Sequence, residues 1–240
     1  MGNFLIKRWS GLFTRAALGP MSTFPEIVGH EDIKQIFSNA MCSKRPVHLL
    51  LIGSPGSAKT TFLTQIMRNR KDTYFVVGSN TTKAGLVNQL FQIKPKFLLI
   101  DELEKMNVSD QTALLHLMET GIISETKINK TRQTELSSWV FATANTCVRI
   151  IPALLSRLVI LEVPSYNIEE FLKIAVNRLA RENVGKDIAR IIAQKVWYDL
   201  GSRDVRDVIK VARLSNSVEE IPFVIRMLNR KYNVGGGNNN

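Results

Sequence analysis

The stretch Val47-His-Leu-Leu-Leu-Ile-Gly-Ser-Pro-Gly-Ser-Ala-Lys-Thr60 decides the fold of this chain. Its apolar first half predicts a buried strand, and the residues from Lys59 onward predict a helix. Phosphate binding requires backbone N–H groups that point into one concavity, which the glycines permit and to which the helix N-terminus adds its dipole. We therefore interpret the connection as a phosphate-binding loop. Its candidate residues are Gly53, Ser54, Pro55, Gly56, Ser57, Ala58, Lys59, Thr60 and Thr61.

Two side chains of this loop have expected roles. The Lys59 ammonium would reach the β- and γ-phosphates, and the Thr60 hydroxyl would hold Mg²⁺. Ala58 stands where the usual pattern has its second glycine. We interpret it as a tolerated variant, because alanine costs little at a position that is already helical.

An acidic pair, Asp101 and Glu102, follows the apolar stretch 96–100. In parallel α/β sheets, ligands bind at the carboxyl ends of the strands. Asp101 would hold Mg²⁺, and Glu102 would polarise the attacking water in line with the γ-phosphate. The position of the pair at a strand end, about 40 residues beyond the phosphate loop, favours this reading over a strand that merely runs into a solvated loop.

The composition narrows the class of protein. Of 240 residues, 45% are hydrophobic, which excludes a disordered chain, and the longest strongly apolar stretch is too short to cross a bilayer. Two cysteines make neither a disulfide framework nor a zinc site, so we expect core packing and a cytoplasmic, reducing location. The 32 Lys and Arg against 21 Asp and Glu favour anionic partners.

Strand-like and helix-like stretches alternate over 23–163, which predicts an α/β domain with a mostly parallel sheet covered on both faces. Only helices are predicted over 164–231, and 232–240 has the composition of a disordered tail. Residues 1–22 predict a basic amphipathic helix. It would dock on the main domain or on a neighbouring subunit, contact a membrane or nucleic acid, or act as a transit peptide.

Over residues 23–231 the chain resembles the AAA+ ATPases, a P-loop NTPase family. Gly53–Thr60 matches Walker A, Phe97–Glu102 matches Walker B, and Phe24–His30 resembles the segment before the phosphate loop. The resemblance implies a parallel-sheet ATPase domain, a small all-α lid, and ATP and Mg²⁺ as cofactors. It also implies that Ile27 and Val28 contact the adenine.

The same resemblance assigns three further residues. Asn145 matches sensor 1, which helps to orient the water, and Arg157 matches the arginine finger that acts on a neighbouring subunit's nucleotide. Arg206 is the better match for sensor 2 on the lid, with Arg203 as the alternative. The family's rings imply a homo-oligomer, which we expect to be a hexamer.

A predicted β-hairpin lies between Walker B and sensor 1, with strands over 122–128 and 132–138 and a turn at 129–131. It resembles the presensor-1 hairpin of the RuvB, MCM and MoxR-type ATPases, and archaeal RuvB-like ATPases are similar as a whole. Basic residues of such a pore would contact a DNA backbone. The candidates are Lys83, Lys127, Lys130 and Arg132.

Two functions follow from the resemblance. The first is a ring-forming, Mg²⁺-dependent ATPase that acts on DNA, as a helicase or translocase in recombination, repair or replication. The second is a MoxR-like chaperone that remodels a protein partner. The lack of an aromatic residue over 78–85 favours the first, because protein-threading members of the superfamily usually carry one there.

Overall fold

A computed structural model describes residues 24–127 and 130–235 of the chain. The strands are β1 (Leu49–Ile52), β2 (Thr73–Val77), β3 (Phe97–Asp101), β4 (Ile122–Lys127), β5 (Lys130–Glu135), β6 (Trp139–Ala144) and β7 (Val159–Glu162). The helices are α1 (Glu31–Cys42), α2 (Lys59–Asn69), α3 (Lys83–Ile93), α4 (Val108–Thr120), α5 (Pro152–Leu155), α6 (Ile168–Ala180), α7 (Lys186–Tyr198), α8 (Val205–Leu214) and α9 (Ile221–Gly235).

Five of the strands form one parallel sheet in the order β2-β3-β6-β1-β7. Strand β1 pairs with β6 on one side and with β7 on the other, for example Leu50 with Ala142 and with Ile160. The predicted α/β class is therefore confirmed. Because all five strands run the same way, the segments that follow β1, β3 and β6 leave the sheet at a single edge.

The buried side chains of the central strands alternate between two faces of the sheet. Leu50, Leu98 and Ile100 pack with residues of α3 and α4, whereas Leu49 and Leu51 pack with residues of α1 and α2. Both faces are thus covered, and strands covered on both faces are apolar along their whole length. This explains why 47–52 reads as a continuous apolar run rather than as an alternating pattern.

Helices α6 to α9 form a separate helical unit around a third apolar cluster, which includes Phe171, Val196 and Val208. Helix α6 begins with the capping box that its sequence predicts: the Asn167 side chain accepts from the Glu170 N–H, and the Glu170 carboxylate accepts from the Asn167 N–H. The capping box therefore fixes the residue at which the first helix of the helical unit begins.

The structure differs from the sequence predictions at several places. In the hairpin Lys127 pairs with Lys130, so residues 130 and 131 belong to strand β5 and not to the predicted turn at 129–131. Cys42 is exposed and Cys147 half-buried, so the prediction that both fill the core is wrong. Helix α9 includes 232–235, which the composition assigns to the tail.

Some predictions lie outside the described residues, namely the N-terminal helix of 1–22 and the rest of the tail, 236–240. Among the residues that are described, none of the helices combines the length and the apolar character that a bilayer span requires.

His48 connects the sheet of the α/β unit with helix α4. It lies just before β1, its side chain is buried, and its Nδ1 accepts a hydrogen bond of 3.1 Å from the Val140 N–H of β6. Burial lowers its pKa to about 4, against which a hydrogen bond to the Met118 backbone acts weakly. The folded protein therefore holds this imidazole neutral.

The free energy of unfolding should fall as the pH drops from about 6.5 towards 4. In that window the unfolded chain binds a proton at His48 that the folded chain does not, and a difference of about 2.5 units corresponds to about 3 kcal/mol. The test is to measure the free energy of unfolding in urea across this pH range. His48→Gln should make it depend less on pH than in the wild type. His116→Gln, at an exposed position, should leave the pH dependence unchanged. If the unfolding free energies of wild type and His48→Gln had equal slopes against pH, His48 would not be the group responsible.

Candidate nucleotide-binding site

A cleft of about 990 Å³ lies between the carboxyl edge of the sheet and the helical unit. The α/β unit contributes loop residues 55–61, the acidic pair and the end of β6, and the helical unit contributes α6 and the start of α8. The lining also includes residues of the helical unit that no sequence motif indicated, namely Ile174, Asn177, Arg178 and Ile209. The site therefore depends on both units.

The loop after β1 turns tightly enough that side chains are excluded from part of it. Gly56 has φ +83°, and a Cβ added there would lie 3.1 Å from the Cα of Asp204 in the helical unit. The Ser57 hydroxyl donates to the Ser54 carbonyl oxygen at 2.8 Å, which closes the turn. Tight turns of this kind can form concavities in which backbone N–H groups bind phosphate.

Ala58 does not have the helical conformation that the sequence interpretation assumed. Its φ of 66° and ψ of 5° are left-handed, and it is the N-cap of α2. This conformation costs an alanine about 1–2 kcal/mol, so the expectation of a low cost is wrong. The methyl group packs against the apolar cluster of the helical unit, which a glycine at this position could not do.

Lys59, the first residue of α2, is folded back into the loop. Its ammonium donates to the carbonyl oxygens of Gly53 at 2.8 Å and Ser54 at 2.7 Å, and the residue is only 7% exposed. Burial lowers the pKa of this ammonium, while the carboxylates of Glu104 and Asp101 oppose the shift. The cation is thus held beside the cleft by weak neutral acceptors rather than by an ion pair.

The ends of β3 and β6 meet the start of α2 at Asp101. The Thr60 hydroxyl donates to the two Asp101 carboxylate oxygens at 3.0 and 3.1 Å, and the Thr143 hydroxyl of β6 donates to one of them. A hydroxyl and a carboxylate are hard oxygen ligands of the kind that Mg²⁺ prefers when phosphate oxygens and water complete its shell. The donor set of Thr60 and Asp101 therefore fits the predicted metal.

Glu102 follows Asp101 with a left-handed backbone, φ 58° and ψ 51°. Its N–H donates to the Thr143 hydroxyl at 3.1 Å, and its carboxylate, which lines the cleft, accepts from the Lys105 ammonium at 2.9 Å. Thr143 therefore sets the position of both acidic residues, one through a carboxylate and one through an N–H.

Asn145 is positioned by a buried carboxylate. One oxygen of Glu104 accepts from both the backbone N–H and the side-chain amide of Asn145, each at 3.0 Å. Glu104 is 6% exposed, and its other oxygen has no hydrogen-bond partner among the described residues. Sequence reasoning missed both Glu104 and Thr143. The available signals were a third acid just after the acidic pair and a lone hydroxyl within an apolar strand.

The three candidate arginines lie in different places. Arg206 lines the cleft and forms an ion pair of 2.6 Å with Asp204, whereas Arg203 lies outside it with its guanidinium 3.4 Å above the Trp197 ring. Arg157 is absent from the described lining of the cleft and pairs with Glu119. The geometry thus separates Arg206 from its alternative, and it places Arg157 away from this chain's own cleft.

The remaining predicted residues also lie in different places, and only some of them line the cleft. Val28 lines the cleft, whereas Ile27 is buried in the core with α1 and α2. Lys83 is exposed at the start of α3. Arg132 is held at the side of the hairpin by Glu125 at 2.6 Å, by Asn88 of α3 and by the Phe91 ring. The side chains of Lys127 and Lys130 lie outside the described part of the chain.

Comparison with known proteins identifies one family model. Residues 49–165 match "ATPase family associated with various cellular activities (AAA)". This range runs from the start of β1, through the phosphate loop, the acidic pair and Asn145, to the residues after β7.

Similar proteins are also found among DNA replication licensing factors. MCM7 of Arabidopsis thaliana is 28% identical over 177 residues, which cover 57% of this chain and 25% of the relative. The mcm5 protein of Dictyostelium discoideum is 29% identical, covering 52% and 20%, and mcm2 of Xenopus laevis is 29% identical, covering 52% and 17%. The chain thus spans a quarter or less of the length of these relatives.

Proposed function

We propose that this chain, whose residues 49–165 match the AAA ATPase family model, binds ATP in the cleft and hydrolyses it to ADP and phosphate. The observation that carries this proposal is the convergence of Lys59, Thr60, Asp101 and Glu102, from two separate segments of the chain, on one point of the cleft. Water would attack the γ-phosphorus while the bond to the β-phosphate oxygen breaks.

The loop residues bind and orient the phosphates. The backbone N–H groups of Gly56 and of residues 58–60, at the N-terminus of α2, would face the negative charge, and Lys59 would exchange its carbonyl acceptors for phosphate oxygens. This exchange is favourable, because a charge-assisted hydrogen bond to an anion is stronger than one to a neutral carbonyl. Lys59 therefore needs only a local side-chain movement to engage the substrate.

Thr60 and Asp101 are the residues that would hold Mg²⁺, with Thr143 orienting the carboxylate. When bound, Mg²⁺ would supply positive charge beside the phosphate oxygens. Glu102 accepts a hydrogen bond from the attacking water and aligns it, which requires Lys105 to leave its carboxylate or to share it. Asn145 donates its amide to the water or the γ-phosphate from a position that Glu104 maintains.

The helical unit and a neighbouring subunit supply the remaining charges. Arg206 would turn from Asp204 to the γ-phosphate across the cleft. We assign Arg157 to the nucleotide of an adjacent copy in a ring, because it lies outside its own chain's cleft while its guanidinium is 45% exposed. A hexamer is the ring that the family resemblance implies.

We propose DNA as the polymer on which this ATPase acts. The similar proteins are named as DNA replication licensing factors, and the chain carries a formal net charge of +11. The hairpin, with Lys127 and Lys130 next to its turn, and the exposed Lys83 at the start of α3 would contact the phosphate backbone. Remodelling of a protein partner is the alternative outcome of the experiment below.

Glu104→Ala should lower kcat for ATP hydrolysis about tenfold or more, because Asn145 loses two hydrogen bonds to a charged acceptor. Glu104→Gln keeps one acceptor oxygen and should retain more activity. Nucleotide affinity should change little in either variant. The decisive comparison is Glu104→Ala/Asn145→Ala, which should be no slower than Asn145→Ala alone. A further tenfold loss, or a parallel loss of affinity, would mean that Glu104 does not act through Asn145.

Arg157 can be tested with mixed subunits. Arg157→Ala and Glu102→Gln should each be inactive alone, but an equal mixture should recover about a quarter of the wild-type rate, because that fraction of head-to-tail interfaces combines an intact Glu102 with an intact Arg157. As the control, Lys59→Ala mixed with Glu102→Gln should recover nothing, since both residues serve one chain's own cleft. An inactive Arg157→Ala mixture would contradict the action on a neighbour.

ATP hydrolysis should rise several-fold with duplex, single-stranded or four-way-junction DNA, and this stimulation should fall with salt. The blank is Glu102→Gln. Lys127→Gln/Lys130→Gln should lose the stimulation but keep the basal rate, whereas the charge-matched control Lys71→Gln/Lys186→Gln, at exposed positions, should keep both. Basal activity that no DNA form changes would point instead to a protein partner. No activity above the blank would refute the hydrolysis proposal for the isolated chain.

A further inference from the structure

A second concave surface lies on the helical unit beside the nucleotide cleft. This basic groove has a volume of about 380 Å³ and runs between the end of α6 and one face of α8. It contains five cations, one carboxylate and one aliphatic side chain. Its residues are Arg178, Arg181, Glu182, Arg206, Ile209, Lys210 and Arg213.

Two cations of the groove pair with acidic neighbours, but their side chains remain largely exposed to solvent. Arg213 pairs with Glu182 at 2.6 Å and Lys210 with Asp207 at 2.8 Å, while the two basic side chains remain 65% and 56% exposed. A guanidinium has five N–H donors and an ammonium three. Exposed ion pairs of this kind contribute little to stability, so an incoming anion can share these cations at low cost.

We propose that the basic groove binds the phosphate backbone of a nucleic acid. Four of the five cations are arginines, whose planar guanidinium groups bind phosphate with two parallel hydrogen bonds. The cations of α8 lie at positions 206, 210 and 213, which spreads them over about 10 Å of helix, the length of about three nucleotides of one strand. A row of this length suits a chain of phosphates better than a single anion.

The lining also indicates which part of the nucleic acid is bound. Ile209 is the one apolar side chain among the described lining residues, which include no aromatic ring on which a base could stack. Binding is therefore to the backbone and independent of sequence. Because Arg178, Arg181 and Arg206 line both the groove and the nucleotide cleft, a bound strand would pass next to the nucleotide cleft. This inference rests on the proposed action on DNA and adds a contact outside the hairpin.

The test is DNA affinity as a function of salt, measured by fluorescence anisotropy with a labelled 30-nucleotide single strand and with the corresponding duplex. Lys210→Gln/Arg213→Gln removes two groove cations that lie outside the nucleotide cleft. The slope of log affinity against log salt concentration should become shallower by about 1.4 for the single strand or about 1.8 for the duplex. Lys210→Arg/Arg213→Lys keeps both charges and should keep the wild-type slope.

The matched control is Lys186→Gln/Arg190→Gln, which removes the same net charge from exposed positions of α7 that do not line the groove. It should leave the slope within experimental error, and both double variants should keep the basal ATPase rate. If Lys210→Gln/Arg213→Gln had the wild-type salt slope, or if the control changed the slope equally, the proposal for the groove would be wrong. The proposal that the protein acts on DNA would remain. A wild-type chain that binds neither DNA form at low salt would overturn both, and ATP hydrolysis would then stand alone.

Discussion

The hydrogen bonds from the Thr60 hydroxyl to the Asp101 carboxylate hold together the two halves of the site. They require that the loop after β1 and the end of β3 reach the same edge of the sheet, although β6 lies between these two strands. Only a parallel arrangement achieves this, since it brings all carboxyl ends to one side. β6 fills the space between with Thr143, which bonds to Asp101 and to the Glu102 N–H.

Each charged group with a proposed role in hydrolysis has an internal partner in the structure. Lys59 bonds to loop carbonyls, Glu102 to Lys105, Arg157 to Glu119 and Arg206 to Asp204. Such contacts satisfy charges that would otherwise face an open cleft, and those at exposed positions are weak enough to be exchanged for a nucleotide or a neighbouring chain. The site is therefore organised before substrate binds and needs side-chain exchange rather than refolding.

The helical unit contributes more than a cover over the cleft. Asp204 lies so close to Gly56 that a Cβ added there would be 3.1 Å from its Cα, and Ala58 packs its methyl group against the apolar cluster of α6 to α9. The phosphate loop is thus in contact with the unit that carries Arg206. A change in the loop conformation on phosphate binding would therefore act on the helical unit through direct packing contacts.

The sequence by itself determined the α/β class, the strands and helices around the phosphate loop, and the acidic pair, because apolar periodicity and glycine-rich turns act over a few residues. It could not determine which polar side chains would meet. Glu104 holds Asn145 from 41 positions away, Arg206 lines the cleft while Arg203 stacks on Trp197, and Ile27 is buried where Val28 is not. The left-handed backbone of Ala58 was equally invisible, since alanine has no preference for it. These features depend on how distant segments pack, and only the tertiary structure decided them.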